Sequence, residues 1–162
     1  MRGHYQLAGS TMTLGEGLAE YYRVNPGLSE PAKITAAKSA AYFHNHDSTH
    51  VIFGTHTGPL HEGANDLWTL FGVDISFKDY AGGFFATDES KQIAQEFDYK
   101  TLGPLLWGSL KLVPEIRRRC KAMSKKWPWT PPDDFLSRPL DELRAEFGIE
   151  VFVPEEHLGI SP

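Results

Sequence analysis

The chain has 162 residues, a formal net charge of −5, and 41% hydrophobic and 23% charged residues. This length supports one domain with its own hydrophobic core, and the composition is typical of a globular protein. The acidic balance argues against general nucleic-acid binding, which depends on neutralising phosphates. Cys120 is the only cysteine, so an intrachain disulfide and a thiolate zinc cluster are both excluded.

The sequence also bears on where the protein works. No apolar run approaches the roughly 20 residues of a membrane-spanning helix. The first five residues, Met1 to Tyr5, do not form the apolar segment of a secretory signal. We therefore expect a cytoplasmic protein.

Caps and chain breakers predict an all-α fold in the first half of the chain. We expect a single compact helical domain over residues 1–162, with residues 1–12 loose. Thr13 and Glu16 have the spacing of a capping box. Gly54 and Gly58 separate two later helical segments. The predicted helices here span residues 13–22, 29–53 and 59–71.

The second half of the chain is also predicted to be helical, with interruptions. Gly82 and Gly83, followed by two phenylalanines, indicate an apolar loop or a broken helix. Pro114 should kink the long segment 101–127 or begin a new helix within it. Gly148 should close the last helix. The predicted elements are a helix capped by Asp88 through Phe97, a stiff extended linker at 127–132, a helix from Leu140 to Phe147, and an extended tail at 149–153.

Two histidines and an aspartate fall within about one turn of the second predicted helix. His46 and His50 are four residues apart, so their side chains point the same way, and Asp47 precedes His50 by three. The face continues towards the N-terminus as a stripe at steps of three and four residues: Phe43, Ala40 and Ala36. These polar groups therefore stand where the pattern predicts core contact, and burying them requires a compensating partner.

A divalent metal is the partner that we predict. Glu62 falls in the first turn of the third helix, and the break between residues 54 and 58 can fold it back towards His46 and His50. Two histidines with carboxylates suit Zn²⁺, Fe²⁺, Mn²⁺ or Co²⁺, and the ligand set does not choose among them. A hydrogen-bonded polar cluster without metal is the alternative interpretation.

Three further histidines, His44, His56 and His61, crowd the same region of the sequence. His61 is next to Glu62 and is a candidate for orienting a metal ligand from outside the coordination shell. An exposed histidine near a helix start is an equally good interpretation of each.

Two other clusters have competing interpretations. Basic residues precede two tryptophans, which suits either a peripheral membrane contact or a solvated helix end. Apolar residues form either plain core or a channel for a long hydrophobic chain. The basic cluster contains Arg117, Arg118, Arg119, Lys121, Lys125 and Lys126, followed by Trp127 and Trp129. The apolar cluster contains Leu102, Leu105, Leu106, Trp107 and Leu110, with Phe84 and Phe85.

The pattern His46-Asp47-x-x-His50, then eleven residues, then Glu62, resembles the signature of the ubiquinone (coenzyme Q) biosynthesis protein 4 family. The segments 138–149 and, more weakly, 14–17 also resemble parts of that family, so the likeness covers about residues 13–153. Members of the family often have glycine before the glutamate, where this chain has His61. The chain is also shorter than typical members and lacks a mitochondrial targeting segment, which indicates a bacterial form.

The resemblance implies a function as well as a fold. It implies that His46, Asp47, His50 and Glu62 bind a divalent metal, with zinc favoured, and that an apolar cavity holds a polyprenyl lipid. It further implies peripheral attachment to the inner (plasma) membrane and association with other quinone-biosynthetic proteins; a homodimer is a further possibility. The implied reaction is oxidative decarboxylation of a polyprenylated hydroxybenzoate-type ring.

Two alternatives remain open at the level of the sequence. The first is a prenyl-lipid-binding scaffold with a structural metal, which organises the other biosynthetic enzymes. The second is a metal hydrolase in which Asp47 or Glu62 acts as a base. The hydrolase is the weaker alternative, because Asp is shorter than the Glu of HExxH helices and no third histidine follows at a fixed spacing.

Overall fold

The structure is a computed structural model and describes residues 2–26, 28, 37–85 and 108–160. Within those ranges the fold is all-α, as predicted, apart from two strands of two residues each. The helices are α1 (Leu14–Val24), α2 (Ala37–Phe53), α3 (Pro59–Gly72), α4 (Phe77–Phe85), α5 (Val113–Ala122), α6 (Leu140–Phe147) and α7 (Pro154–Leu158). Short 3₁₀ helices span His4–Gln6 and Asp133–Ser137, and the strands are β1 (Val73–Asp74) and β2 (Trp127–Pro128).

Helix α2 is the centre of the domain, because its C-terminal half is buried on every side. All residues from 47 to 55 are buried. Ser48 and Thr49 tolerate this position because their hydroxyls donate to the main-chain oxygens of His44 at 2.7 Å and His46 at 2.6 Å. Polar side chains on the buried turn of α2 therefore meet other protein groups rather than solvent.

Several helix ends agree with the sequence prediction. The Thr13 hydroxyl accepts from the main-chain N–H of Glu16, whose carboxylate accepts from the N–H of Thr13, which completes the predicted capping box. Helix α5 begins beside Pro114, and α6 ends at Gly148, whose φ of 68° is the left-handed conformation that favours glycine. These local interactions explain why the predicted boundaries are correct there.

Tyr5, Gln6 and Ser10 of the N-terminal segment are buried, whereas the sequence predicted that residues 1–12 are loose. Tyr5 is fully buried. The Arg144 guanidinium of α6 donates to the main-chain oxygens of Tyr5 and Leu7, and also to those of Val51 and Ile52 at the end of α2. One buried cation thus joins three segments that are distant in the sequence.

Residues 127–132 do not form the predicted linker. Trp127 is fully buried and packs against Phe135 and Phe147. Strand β2 pairs in parallel with β1, with Val73 opposite Trp127. The proline-rich sequence is extended, as predicted, but the buried indole makes it part of the hydrophobic core.

The remaining differences concern α4, α7 and residues outside the described ranges. Helix α4 runs continuously through Gly82 and Gly83, where we predicted an apolar loop or a broken helix. Helix α7 follows the segment predicted as a tail. Outside the described residues lie the first part (29–36) of the helix predicted over 29–53, the helix predicted over 88–97, and the residues Leu102, Leu105, Leu106 and Trp107. Among the described helices, none combines the length and hydrophobicity that crossing a membrane requires.

Candidate metal centre

Three of the four predicted ligands meet between α2 and α3. His46, His50 and Glu62 each present one ligand-type atom, and these atoms lie within 4.8 Å of one another. The two imidazole rings are 4.8 Å apart between centroids and meet edge to face at 74°. The loop between the helices returns Glu62 to the histidine face of α2, as the sequence predicted.

A buried hydrogen-bond network assigns the tautomer of His50. The Asn65 amide N–H donates to Thr49, whose own hydroxyl proton is used on the oxygen of His46. The Asn65 amide oxygen accepts from the Thr55 hydroxyl at 3.3 Å. Thr55 has thereby used its proton, so it accepts from Nδ1–H of His50 at 2.9 Å. Neutral His50 therefore has its proton on Nδ1 and a lone pair on Nε2.

That lone pair faces a carboxylate oxygen. His50 Nε2 lies 3.2 Å from Glu62 Oε2, and the His50 side chain is fully buried. Nε2 also has no hydrogen-bond partner of acceptable geometry among the described residues. Two acceptors at this separation repel each other unless a metal ion lies between them or a proton on Nε2 makes the contact an ion pair. The donor set, nitrogen and carboxylate oxygen, fits a divalent metal such as Zn²⁺ or Fe²⁺.

Asp47 occupies a different position from the other three predicted ligands. Its Oδ1 lies 3.5 Å from Nδ1 of His46, and its Oδ2 accepts from the Tyr22 hydroxyl at 2.7 Å. Asp47 is not part of the group of atoms within 4.8 Å. In this arrangement the carboxylate orients the His46 imidazole through its second nitrogen, as carboxylates beside metal-bound histidines commonly do.

The charges of the cluster reinforce one another. Burial lowers the pKa of His46, but the hydrogen bond that its imidazole donates to Asp47 and the charge of Glu62 raise that pKa overall. Burial opposes ionisation of Glu62, yet His50 and then His46 lower the pKa of this carboxyl below its ordinary value. The cluster thus favours an ionised Glu62, the form that binds a metal, and also a protonated His46, whose proton a bound metal would have to displace.

The sequence analysis missed several residues that surround this cluster. Thr55 and Asn65 set the His50 tautomer, and Tyr22 holds Asp47. The Tyr80 hydroxyl donates to Asp66, one turn beyond Glu62, at 2.6 Å. Burial raises the pKa of the Asp66 carboxyl despite this bond. A threonine five residues after a histidine carries no recognisable sequence signal, and Tyr22 and Tyr80 come from other helices.

A second cluster contains His61, together with His56 and Glu155. His61 Nε2 lies 2.9 Å from Glu155 Oε2 in α7, and the rings of His56 and His61 stack with centroids 3.7 Å apart. Burial, followed by the neighbouring His61, lowers the pKa of His56 to about 4. His61 therefore contacts α7. The sequence had suggested instead that His61 orients a ligand of the first cluster or is an exposed histidine.

The basic cluster and the apolar cluster differ from the sequence prediction in how far their residues are exposed. Trp127 is buried, which removes it as a membrane-surface anchor, while Arg117 and Lys121 are exposed on α5. Leu110 is 57% exposed. Within the described part of the chain, a cavity of about 500 Å³ lies elsewhere, beside α7, and is lined by Arg2, Leu7, Arg119, Phe152 and His157 among others.

No protein-family model, curated protein or solved structure matches the chain. The functional interpretation therefore depends on the geometry of the cluster and on the motif that supplies it.

Proposed function

We propose that this protein binds a divalent metal through His46, His50 and Glu62 and acts in quinone (ubiquinone-like) biosynthesis on a polyprenylated ring. The observation that supports metal binding most directly is the fully buried lone pair of His50 Nε2, 3.2 Å from a Glu62 oxygen. We propose one of two roles for Asp47. It is either the fourth metal ligand of the motif, or it stays in its present position and orients the His46 imidazole.

The substrate class in this proposal comes from the motif resemblance. The reaction we propose replaces a ring carboxyl by a hydroxyl. With water as the oxygen source and dioxygen as the two-electron acceptor, the carboxyl leaves as carbon dioxide, the ring gains a hydroxyl, and the two protons and two electrons reduce dioxygen to hydrogen peroxide. A bound divalent cation supplies Lewis-acid stabilisation of an oxyanion on the substrate headgroup.

The chain's own residues have separate roles in this proposal. His46 and His50 supply neutral nitrogen donors, and Glu62 supplies a negatively charged oxygen donor. Thr55 holds the proton of His50 on Nδ1, so that Nε2 remains available. Tyr21 stacks on His50 with centroids 5.3 Å apart and covers one face of the imidazole.

A prenyl-lipid-binding scaffold with a structural metal is the second candidate. It is favoured by the position of the ligands on two helices, α2 and α3, which a metal would join. We further propose peripheral attachment to a membrane through exposed cations of the basic segment, including Arg117 and Lys121. We also propose that the protein associates with other enzymes of quinone biosynthesis and that it forms a homodimer.

The test measures metal content and turnover together. Purified protein is stripped with chelator and titrated with Zn²⁺, Fe²⁺, Mn²⁺ and Co²⁺, and the bound metal is counted by native mass spectrometry. Turnover of a polyprenylated hydroxybenzoate is followed by product mass and by release of carbon dioxide. His50→Ala and Glu62→Gln should lose one metal per chain and all turnover, whereas His157→Ala in α7 should change neither.

The outcomes separate the candidates. Metal binding unchanged in both His50→Ala and Glu62→Gln would overturn the proposed centre. Metal lost in both variants, with no turnover by the loaded wild type but retained binding of a prenyl lipid, would favour the scaffold. Unfolding of the wild type on metal removal would add support to a structural role.

A further inference from the structure

We propose that His56, His61 and Glu155 form a second site for a divalent transition-metal ion, which joins helix α7 to the first turn of α3. The three residues present one ligand-type atom each, all within 4.8 Å of one another. Two histidines and a carboxylate suit Zn²⁺ and its neighbours in the first transition row. None of these residues is a ligand of the centre described above.

The first support is an unsatisfied buried histidine. His61 is 3% exposed, and its Nδ1 has no hydrogen-bond partner among the described residues. In one neutral tautomer, Nδ1 presents a buried lone pair without a donor. In the other, Nε2 presents its lone pair to the Glu155 oxygen 2.9 Å away. A cation bound at Nδ1 would satisfy the lone pair of the first tautomer, in which Nε2–H donates to Glu155, and a cation between Nε2 and the Glu155 oxygen would remove the repulsion in the second. A buried polar atom without a partner is uncommon in native proteins.

The second support is the placement of the ligands in the chain. His56 lies in the loop between α2 and α3, His61 in the first turn of α3, and Glu155 in the first turn of α7. His61 and Glu155 are separated by 94 positions. Helix α7 has only five residues, so its own hydrogen bonds hold it weakly. A metal would therefore stabilise the docking of a short helix against the domain.

Metal binding requires a rearrangement of His56 and His61. The two ring centroids are 3.7 Å apart and the ring planes differ by 24°, so the stack has to open for both rings to face one ion. His56 Nδ1 accepts from the main-chain N–H of Gly58 at 2.8 Å. On metal binding, that hydrogen bond is lost if Nδ1 becomes the ligand atom and is kept if Nε2 does.

The test is a Zn²⁺ titration of the full chain after chelator treatment, with native mass spectrometry to count bound ions. Wild type and the control Glu156→Gln, on the same helix, should bind two ions. Glu155→Gln and His56→Ala should bind one ion strongly, with affinity for the other reduced about tenfold or more. Hydrogen exchange in 154–158 should slow on adding Zn²⁺ to wild type, but not to Glu155→Gln.

The two metal proposals fail in different ways. If Glu155→Gln and His56→Ala both bind as many ions as wild type, the second site is overturned. If wild type binds one ion that Glu155→Gln loses and Glu62→Gln retains, the second site stands and the centre at His46, His50 and Glu62 fails. One ion lost only in Glu62→Gln gives the reverse conclusion.

Discussion

Thr55→Val tests the hydrogen-bond network that prepares His50 for a metal. Valine has nearly the shape of threonine but lacks the hydroxyl. It keeps the main-chain oxygen of residue 55, which accepts from the Tyr5 hydroxyl at 3.0 Å. The substitution removes the acceptor of His50 Nδ1–H at 2.9 Å and the donor to Asn65 at 3.3 Å. His50 then loses the partner that holds its proton on Nδ1.

The expected magnitudes follow from this burial. Because the His50 side chain is fully buried, its unpaired N–H should cost about 1–3 kcal/mol of unfolding free energy. Loss of an outer-shell partner typically weakens metal affinity by about 10–100-fold. Since each tenfold change is about 1.4 kcal/mol, the affinity loss corresponds to about 1.4–2.8 kcal/mol.

Affinity is measured by competition between the protein and a chromophoric chelator for Zn²⁺, in a Glu155→Gln background so that the second cluster does not contribute. Stability is measured by urea unfolding in the presence of chelator. Thr57→Val is the control, because the Thr57 hydroxyl donates to Asn25 at 2.7 Å, outside this network. A Thr55→Val protein that is less stable but binds Zn²⁺ as tightly as its parent would refute the tautomer argument.

Two further predictions concern charged groups away from the cluster. Arg144→Met should lower the unfolding free energy by about 3–5 kcal/mol, because buried main-chain oxygens lose their charged donor. Urea unfolding measures this loss, and a loss below about 1 kcal/mol would contradict the prediction. Hydrogen bonds from Arg118, followed by Arg119, lower the pKa of Glu115 from 4.5 to about 2. The Glu115 carboxylate therefore stabilises the fold above pH 4.5, and this contribution is lost as the pH falls towards 2. Glu115→Gln should therefore lose less stability than wild type between pH 4.5 and 2.5, and parallel pH profiles would contradict the assignment.

Local sequence signals predicted the helix ends well and the long-range packing poorly. Thr13 and Gly148 each act within a few residues of their own position, so their sequence context contains the necessary information. Arg144 donates to residues 137 and 139 positions away, and nothing near Tyr5 in the sequence reveals that contact. The N-terminal segment was predicted to be loose because its own sequence shows no clear periodicity.

The candidate site shows the same division. The spacing of His46 and His50 and the break before Glu62 were sufficient to predict that these residues meet. The tautomer of His50 depends on Thr55 and Asn65, whose roles follow only from the directions of their hydrogen bonds in three dimensions. A pattern of ligand-type residues therefore predicts which side chains meet, but not which ring nitrogen of a histidine carries the lone pair.

The start of α3 explains how the chain differs from the signature that its motif resembles and still brings His46, His50 and Glu62 together. Consecutive helical residues point about 100° apart, so His61 faces Glu155 while Glu62 faces His50. A side chain before Glu62 therefore alters the neighbouring cluster rather than the metal centre. The glycine of this turn stands after Glu62 instead, where a Cβ on Gly63 would clash with the Ser109 side chain. Gly63 thus permits the close approach of residue 109, and His61 contacts Glu155 instead.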